Sequence, residues 1–320
     1  MFDVITIGSA TVDIFIKTKS KQVDIEKVHG HEDVCLPVGS KILIDELYTS
    51  TGGGGTNSAV SFKRLGLKTA WLGVLGKGHN SRIVKDVIKN EKIPFLGKEK
   101  QGETGFSVIL TGLNKNRTIL AYKGVNDKLS LNDVDKSKLK ARWFYCSSML
   151  GKSLKTVFNI VRSSKAKVAF NPSTYLAIKG RKFLSPLLKK TDLLILNKEE
   201  AQYLLNSKAK INMLLKKLQK LSPVVVITDG PKGAYAFDGK EMLKVVPFKT
   251  VIVETTGAGD SFASGFLAAL IYGKSVADCL RWGYAQAVSV LSHFGAKEKL
   301  LKKSELERFL RKKKAKVVRL

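Results

Sequence analysis

Cysteine and histidine are scarce in this 320-residue sequence, and both shortages exclude chemistry. Cys35, Cys146 and Cys279 are far apart, odd in number and free of any C-x-x-C pairing. They read as reduced thiols of a cytoplasmic protein, not as disulfides or metal ligands. The histidines form no ligand spacing: His29 and His31 share a polar stretch, and His79 and His293 stand alone. A structural zinc site is not expected. No apolar run reaches the roughly 18 residues of a membrane span. The N-terminus lacks a basic region, an apolar core and a small-residue cleavage site. It enters a strand-like pattern over 2–8, so no signal peptide is expected.

Acidic residues are also in short supply. Asp and Glu number 27 against 56 Lys and Arg, a net charge of +29. Such an excess favours nucleic acid, acidic membrane or small anions as partners. The basic residues run along the whole chain, however, and only 311–316 forms a dense block. Spread lysines read as solvated faces, or as adaptation to heat or salt. Without a recognition motif, a nucleic-acid partner is not expected. The remaining composition is ordinary: 44% hydrophobic and 26% charged, enough for a large core.

Residues 4–8 read as a buried first strand ending at Gly8. Residues 11–16 and 41–48 alternate, and 18–33 is polar and reads as a loop. A glycine run, Gly52-Gly53-Gly54-Gly55-Thr56-Asn57, leads directly into a helical pattern that stops at Gly66. Two alternating runs, 106–111 and 118–122, flank a turn at 112–116 and form a hairpin. From about residue 140 short apolar strands alternate with helices, which implies a parallel sheet covered on both faces. Later strands at 234–237 and 245–246 read as antiparallel, and helices follow at about 258–272, 275–292 and 303–313. The fold class is α/β: one domain over 1–320, doubly wound, mostly parallel, with helices on both faces. A small antiparallel lid is inserted as strands at about 11–17, 34–48 and 104–123. Ligands of such sheets sit beyond the carboxyl ends of the strands.

The chemistry concentrates at Glu254-Thr255-Thr256-Gly257-Ala258-Gly259-Asp260, a glycine-bearing turn opening a helix. Its unpaired N–H groups and the positive helix end make an anion site, suited to charge growing on phosphate oxygens. Asp260 sits inside the turn as a candidate base, and the helix end is expected to lower its pKa. The same residue types also suit an ordinary capped helix start. In the N-terminal glycine run, Gly53 and Gly54 let backbone approach a polyol, and the Asn57 amide can donate to and accept from hydroxyls. Asn197 and Glu200 end a strand and open a helix. They suit either a hard, hydrated cation or a helix cap.

The 254–260 run resembles the D-T-T-G-A-G-D signature of the PfkB, or ribokinase-like, carbohydrate kinase family. The resemblance spans nearly the whole chain and implies a kinase that moves the γ-phosphoryl of ATP to a hydroxyl of a sugar. It implies Asp260 as base with Gly257, Ala258 and Gly259 as anion hole. Asp13, Gly53, Gly54 and Asn57 are implied for the substrate. Asn197, Thr228, Gly230, Gly233, Thr256, Gly257 and Gly259 are implied for ATP, and Glu200 with Asn197 for Mg²⁺ through water. Asn171-Pro172 resembles an element near the transferred phosphoryl, and 285–295 the adenine pocket. K⁺ beside the turn and a homodimer through the lid are further options that the resemblance raises. Two departures stand out: Glu254 replaces Asp, and Thr11 stands where ribose-specific members carry Asn. Phe15 and Phe106 fall on the lid, where they can stack a nucleobase or pack the lid itself. A nucleoside kinase on the same fold is therefore the alternative to a sugar kinase. A nucleic-acid-binding protein that retains the fold is the third reading. No P-loop and no protein-kinase catalytic loop is present.

Overall fold

The computed structural model describes residues 1–20, 23–28, 31–113, 116–248, 250–313 and 315–320. His29, and Asn114 and Lys115 of the expected lid turn, lie outside the described residues.

A nine-stranded sheet runs, edge to edge, Thr69–Leu72, Phe2–Ile7, Ala141–Cys146, Lys167–Phe170, Leu193–Asn197, Val224–Thr228, Ala234–Phe237, Met242–Val245 and Val317–Arg319. The first six are parallel and the last three antiparallel. Continuous apolar strands such as Leu193–Asn197 need cover on both sides. On one face Ile5, Ile7, Phe144 and Phe170 pack beneath helices Gly151–Ser163, Gly180–Leu188, Lys198–Leu205 and Ile211–Gln219. On the other, Val4, Tyr145 and Ile195 meet helices Gly54–Arg64, Ala258–Ile271, Val276–Leu291 and Lys303–Lys312. Cys146 and Cys279 are buried thiols in these cores. Among the described residues no helix is long and apolar enough to cross a membrane.

The lid is a four-stranded sheet in the order Asn116–Gly124, Thr104–Leu113, Thr11–Lys17, Glu46–Gly52. Its last strand replaces the one expected at 34–48. Pairing with Thr11–Lys17 runs from Lys17 opposite Glu46 to Thr11 opposite Gly52, so the partner ends where residue 46 begins. Residues 41–45 alternate in sequence but have no partner strand, and Leu43 is left exposed. Within the stretch read as a loop over 18–33, Asp24–Val28 pairs with His31–Cys35 as a separate hairpin. The chain's passages between sheet and lid are tied together: Asn126 Oδ1 accepts from Ala10 N at 3.0 Å, and its Nδ2 donates to Ala10 O at 2.9 Å.

Candidate active site

The glycine run forms a junction between lid and core. Strand Glu46–Gly52 ends, Gly53 caps, and helix Gly54–Arg64 begins. Gly53 has φ +91°, and a Cβ there would lie 2.5 Å from Ser9 O. Only glycine lets the helix start press so closely on the end of the first strand. Across the cleft, Gly257 (φ +82°) caps helix Ala258–Ile271, and a Cβ there would lie 2.4 Å from the Ala296 Cβ. The Ala258 N–H leans on Thr255 O at 3.3 Å. The N–H groups of Gly259 and Asp260 therefore head the helix without a backbone partner among the described residues.

The two glycine loops meet through side chains. Asp260 Oδ2 accepts from Asn57 Nδ2 at 2.8 Å, and Asn57 Oδ1 accepts from Lys297 Nζ at 2.6 Å. Lys297 also donates to Thr51 O at 2.7 Å. The cation thereby fixes which end of the Asn57 amide faces Asp260. Asp260 Oδ1, the other carboxylate oxygen, stands near Gly54. The expectation of a lowered Asp260 pKa is corrected here. Burial pushes it up from its ordinary value, the Asn57 bond and Lys297 charge pull it down, and Asp13 adds repulsion. Desolvation of the carboxylate outweighs its stabilisers. The same burial pushes Lys297 down to about 7, against the pull of Asp13 and Asp260.

Two cavities flank this helix start. One of about 240 Å³ is lined by Asp260, Gly54, Ser147, Asn171, Ser173 and Lys123 among others. The other, about 530 Å³, is lined by Ala258, Gly259, Thr228, Gly230, Gly233 and the apolar group Phe248, Tyr284, Ala287, Val288 and Leu291. Thr228 pairs with Asn197 at the carboxyl ends of adjacent strands. Asn197 and Glu200 cap one another: Glu200 N donates to Asn197 Oδ1 at 2.8 Å, and Asn197 N to Glu200 Oε2 at 2.9 Å. Glu200 is buried, with its pKa raised first by desolvation, and lies within electrostatic reach of Asp260. Thr256 spends its N–H and hydroxyl on Glu254 Oε1, at 2.9 Å each. Glu254 also accepts from Thr255 N at 2.7 Å, so its longer side chain folds back and braces the turn. Arg117, on the lid, reaches Thr255 and Glu254.

Asp13 is buried beneath Gly52, accepts from Thr11 Oγ1 at 2.9 Å, and has its pKa raised by burial. It belongs to the same electrostatic cluster as Lys297 and Asp260 but is not in the wall of the smaller cavity. Phe15 packs with Tyr48 of the lid and with Phe294 after helix Val276–Leu291, and Phe106 packs with Tyr122, so both rings are engaged in packing. Lys297, Asn126, Arg117 and Lys123 were not singled out in the sequence. Only the G-V-N step after Lys123 carries a local signal, a tight turn returning the chain from lid to core.

The α/β frame, the lid and the shared cleft at the strands' carboxyl ends define the architecture of a ribokinase-like enzyme. The pfkB family carbohydrate kinase model matches residues 2–303, and the chain belongs to that family, whose members transfer a phosphoryl group to an alcohol. An uncharacterized sugar kinase of Archaeoglobus fulgidus is 28% identical over 248 residues, covering 75% of this chain and 98% of its own. The Thermotoga maritima ribokinase structure superposes with a TM-score of 0.80 at 20% identity, covering 97% of this chain and 100% of its own. The nucleoside kinase of Methanocaldococcus jannaschii gives 0.77 at 21% identity, covering 97% and 99%.

Proposed function

We propose that this protein is an ATP-dependent kinase phosphorylating a hydroxyl of a single sugar unit, with Asp260 as the base. One observation carries the reading. A single helical turn supplies Ala258 and Gly259 to the wall of the larger cavity and Asp260 to the wall of the smaller one. ATP fits the larger cavity, with its base among Phe248, Tyr284, Val288 and Leu291 and its phosphates toward Thr228, Gly230 and Gly259. The acceptor fits the smaller, among hydroxyl and amide side chains. Asp260 Oδ1 takes the acceptor proton as the hydroxyl oxygen bonds to the γ-phosphorus and the bond to the departing ADP oxygen breaks. The N–H groups of Gly259 and Asp260 meet the charge on the phosphoryl oxygens. Asn57, held by Lys297, keeps the carboxylate aimed.

Glu200 fits a magnesium site: one oxygen is engaged in the cap, and the carboxylate is buried close to the cleft. Such an ion keeps most of its waters, and Glu200, with Asn197 beside it, would hold it through them while it shields phosphate charge. Glu254 Oε1 is committed to Thr255 and Thr256, so potassium is left out of the reading.

The small cavity favours a sugar over a nucleoside. At about 240 Å³ it falls below the usual range for drug-sized ligands, about 300–1,000 Å³. Its aromatic ring, Tyr175, has Lys123 over it at 4.2 Å. Exposed Leu47, Leu120 and Tyr122 on the lid support pairing of two lids in a homodimer. The cytoplasm, where ATP and reduced thiols coexist, is the setting. Asp260→Asn tests the assignment: kcat should fall by roughly 10²-fold or more while ATP still binds by calorimetry. Near-normal turnover would refute it.

A further inference from the structure

We propose that Lys123 is the specificity residue of the small cavity and selects an acceptor bearing a carboxylate or phosphate away from its reacting hydroxyl. This deepens the kinase reading and rests on it. Lys123 lies on lid strand Asn116–Gly124 and lines the same cavity as Asp260. Its ammonium stands 4.2 Å from the centroid of the Tyr175 ring, another part of the cavity wall. Its backbone is fixed as well, since Lys123 O accepts from Asn126 Nδ2 at 3.0 Å. Lys123 joins none of the ion pairs found among the described residues. An ammonium at a cavity wall, without a carboxylate partner, is a binding point for an anion.

Its place along the cavity follows from its neighbours. Lys123 acts electrostatically on Asp13, whereas the charged groups acting on Asp260 are Lys297 and Asp13. Lys123 belongs to a lid strand and Asp260 to a core helix, so the ammonium and the carboxylate that takes the proton come to the cavity from different elements. The same cavity wall carries groups that answer hydroxyls: Ser147, Asn171 and Ser173. Ser173 holds φ +53°, uncommon for a residue with a side chain, and its buried Oγ has no partner among the described residues. Asp127 also lines the wall, with a buried Oδ1 equally unpartnered, ready to accept from a sugar hydroxyl. Neither Asp127 nor Asp260 pairs with Lys123, so the ammonium is left for the ligand. The chain's charge of +29 places the cavity in a positive field that favours an anionic ligand further.

The test compares matched acceptors on the wild type, Lys123→Met and Lys123→Arg, each with ATP and Mg²⁺. Glucose is set against gluconate, 2-keto-3-deoxygluconate and glucose 6-phosphate, and fructose against fructose 6-phosphate. The wild type should favour an anionic acceptor over its neutral counterpart by about tenfold to a hundredfold in kcat/KM. Lys123→Met should erase that preference, mainly through KM for the anionic acceptor, and Lys123→Arg should retain it. A preference for the acids marks a carboxylate site, and one for the 6-phosphates a phosphate site. Equal or better use of neutral sugars, or a preference that survives in Lys123→Met, overturns the proposal and leaves the kinase reading standing. If no acceptor of either kind is phosphorylated, the proposal falls. If ATP also fails to bind the wild type, the kinase reading falls with it.

Discussion

Replacing Lys297 by Met should move the acid limb of the kcat profile upward while leaving the protein folded. The loop stays in place because Arg64 Nη1 donates to Lys297 O at 2.7 Å, a main-chain contact the substitution does not touch. What disappears is a cation bridged to Asp260 by one amide group. Across roughly 7 Å at an effective dielectric of about 20, two unit charges interact by about 2 kcal/mol. Solvent reaching Asp260 through the cavity reduces this, and what remains moves its titration upward. The sign is fixed: the Lys297 charge lowers the Asp260 pKa, so its loss raises it, and the base stays protonated to higher pH. Freed from Lys297, the Asn57 amide can also turn, and kcat at the optimum should fall by about tenfold to a hundredfold. Lys297→Gln separates the contributions, since its amide can restore the donor but not the charge. It should recover kcat yet keep the shifted limb. The assay is a coupled ADP-release measurement from pH 4.5 to 9 at saturating ATP. A lower kcat with an unmoved acid limb in Lys297→Met would refute the electrostatic role and reduce Lys297 to packing.

Stability carries a second signature of the same residue. Burial puts the folded-state pKa of Lys297 at about 7, below the ordinary 10.5, so between these values the unfolded chain binds the extra proton. The contribution of this group to stability therefore rises as pH climbs from about 7 toward 10.5, and Lys297→Met should flatten that rise in thermal or urea unfolding. Gly55→Ala should destabilise by about 1–3 kcal/mol, because its Cβ would lie 2.5 Å from Gly8 O; an unchanged melting temperature would contradict the close approach. At Gly259 an added Cβ meets nothing within 4 Å yet borders the larger cavity. Gly259→Val should thus fold normally by circular dichroism while raising KM for ATP and lowering kcat. Equal kinetics would place the phosphates elsewhere.

The sequence carried the main sheet, the flanking helices and the two glycine loops at helix starts. Those features leave local marks: apolar runs of strand length, a glycine before each helix, an acidic residue in the first turn. The lid was harder, because its strands are partly exposed and leave a weaker apolar pattern. Alternation over 41–48 looked like a strand, and only the seven-residue register with Thr11–Lys17 decides that pairing covers Glu46–Gly52. Lys297 was illegible for a different reason. Among 56 basic residues it looks like any solvated lysine, and its burial arises from contacts with Thr51 and Asn57, more than 200 positions away.

Several residues answer to both an architectural and a chemical description, and the structure gives a reason why the two coincide. A helix start needs its first N–H groups satisfied and favours a carboxylate nearby; a phosphoryl site needs free N–H groups beside a base. Asn197 and Glu200 make a complete reciprocal cap, so there the helix satisfies itself and only the remaining carboxylate oxygen is left for a hydrated ion. Helix Ala258–Ile271 lacks any side-chain cap on its leading N–H groups. Its one acidic first-turn residue, Asp260, is turned instead to Asn57 across the cleft. An uncapped helix end facing a cavity leaves its leading N–H groups to water or to an anion from outside the chain. This distinguishes the two motifs physically. The first holds its helix together whether or not a ligand is present. In the proposed kinase reading phosphate completes the second, so ATP should protect its amides from hydrogen exchange far more than those of the 197–200 cap.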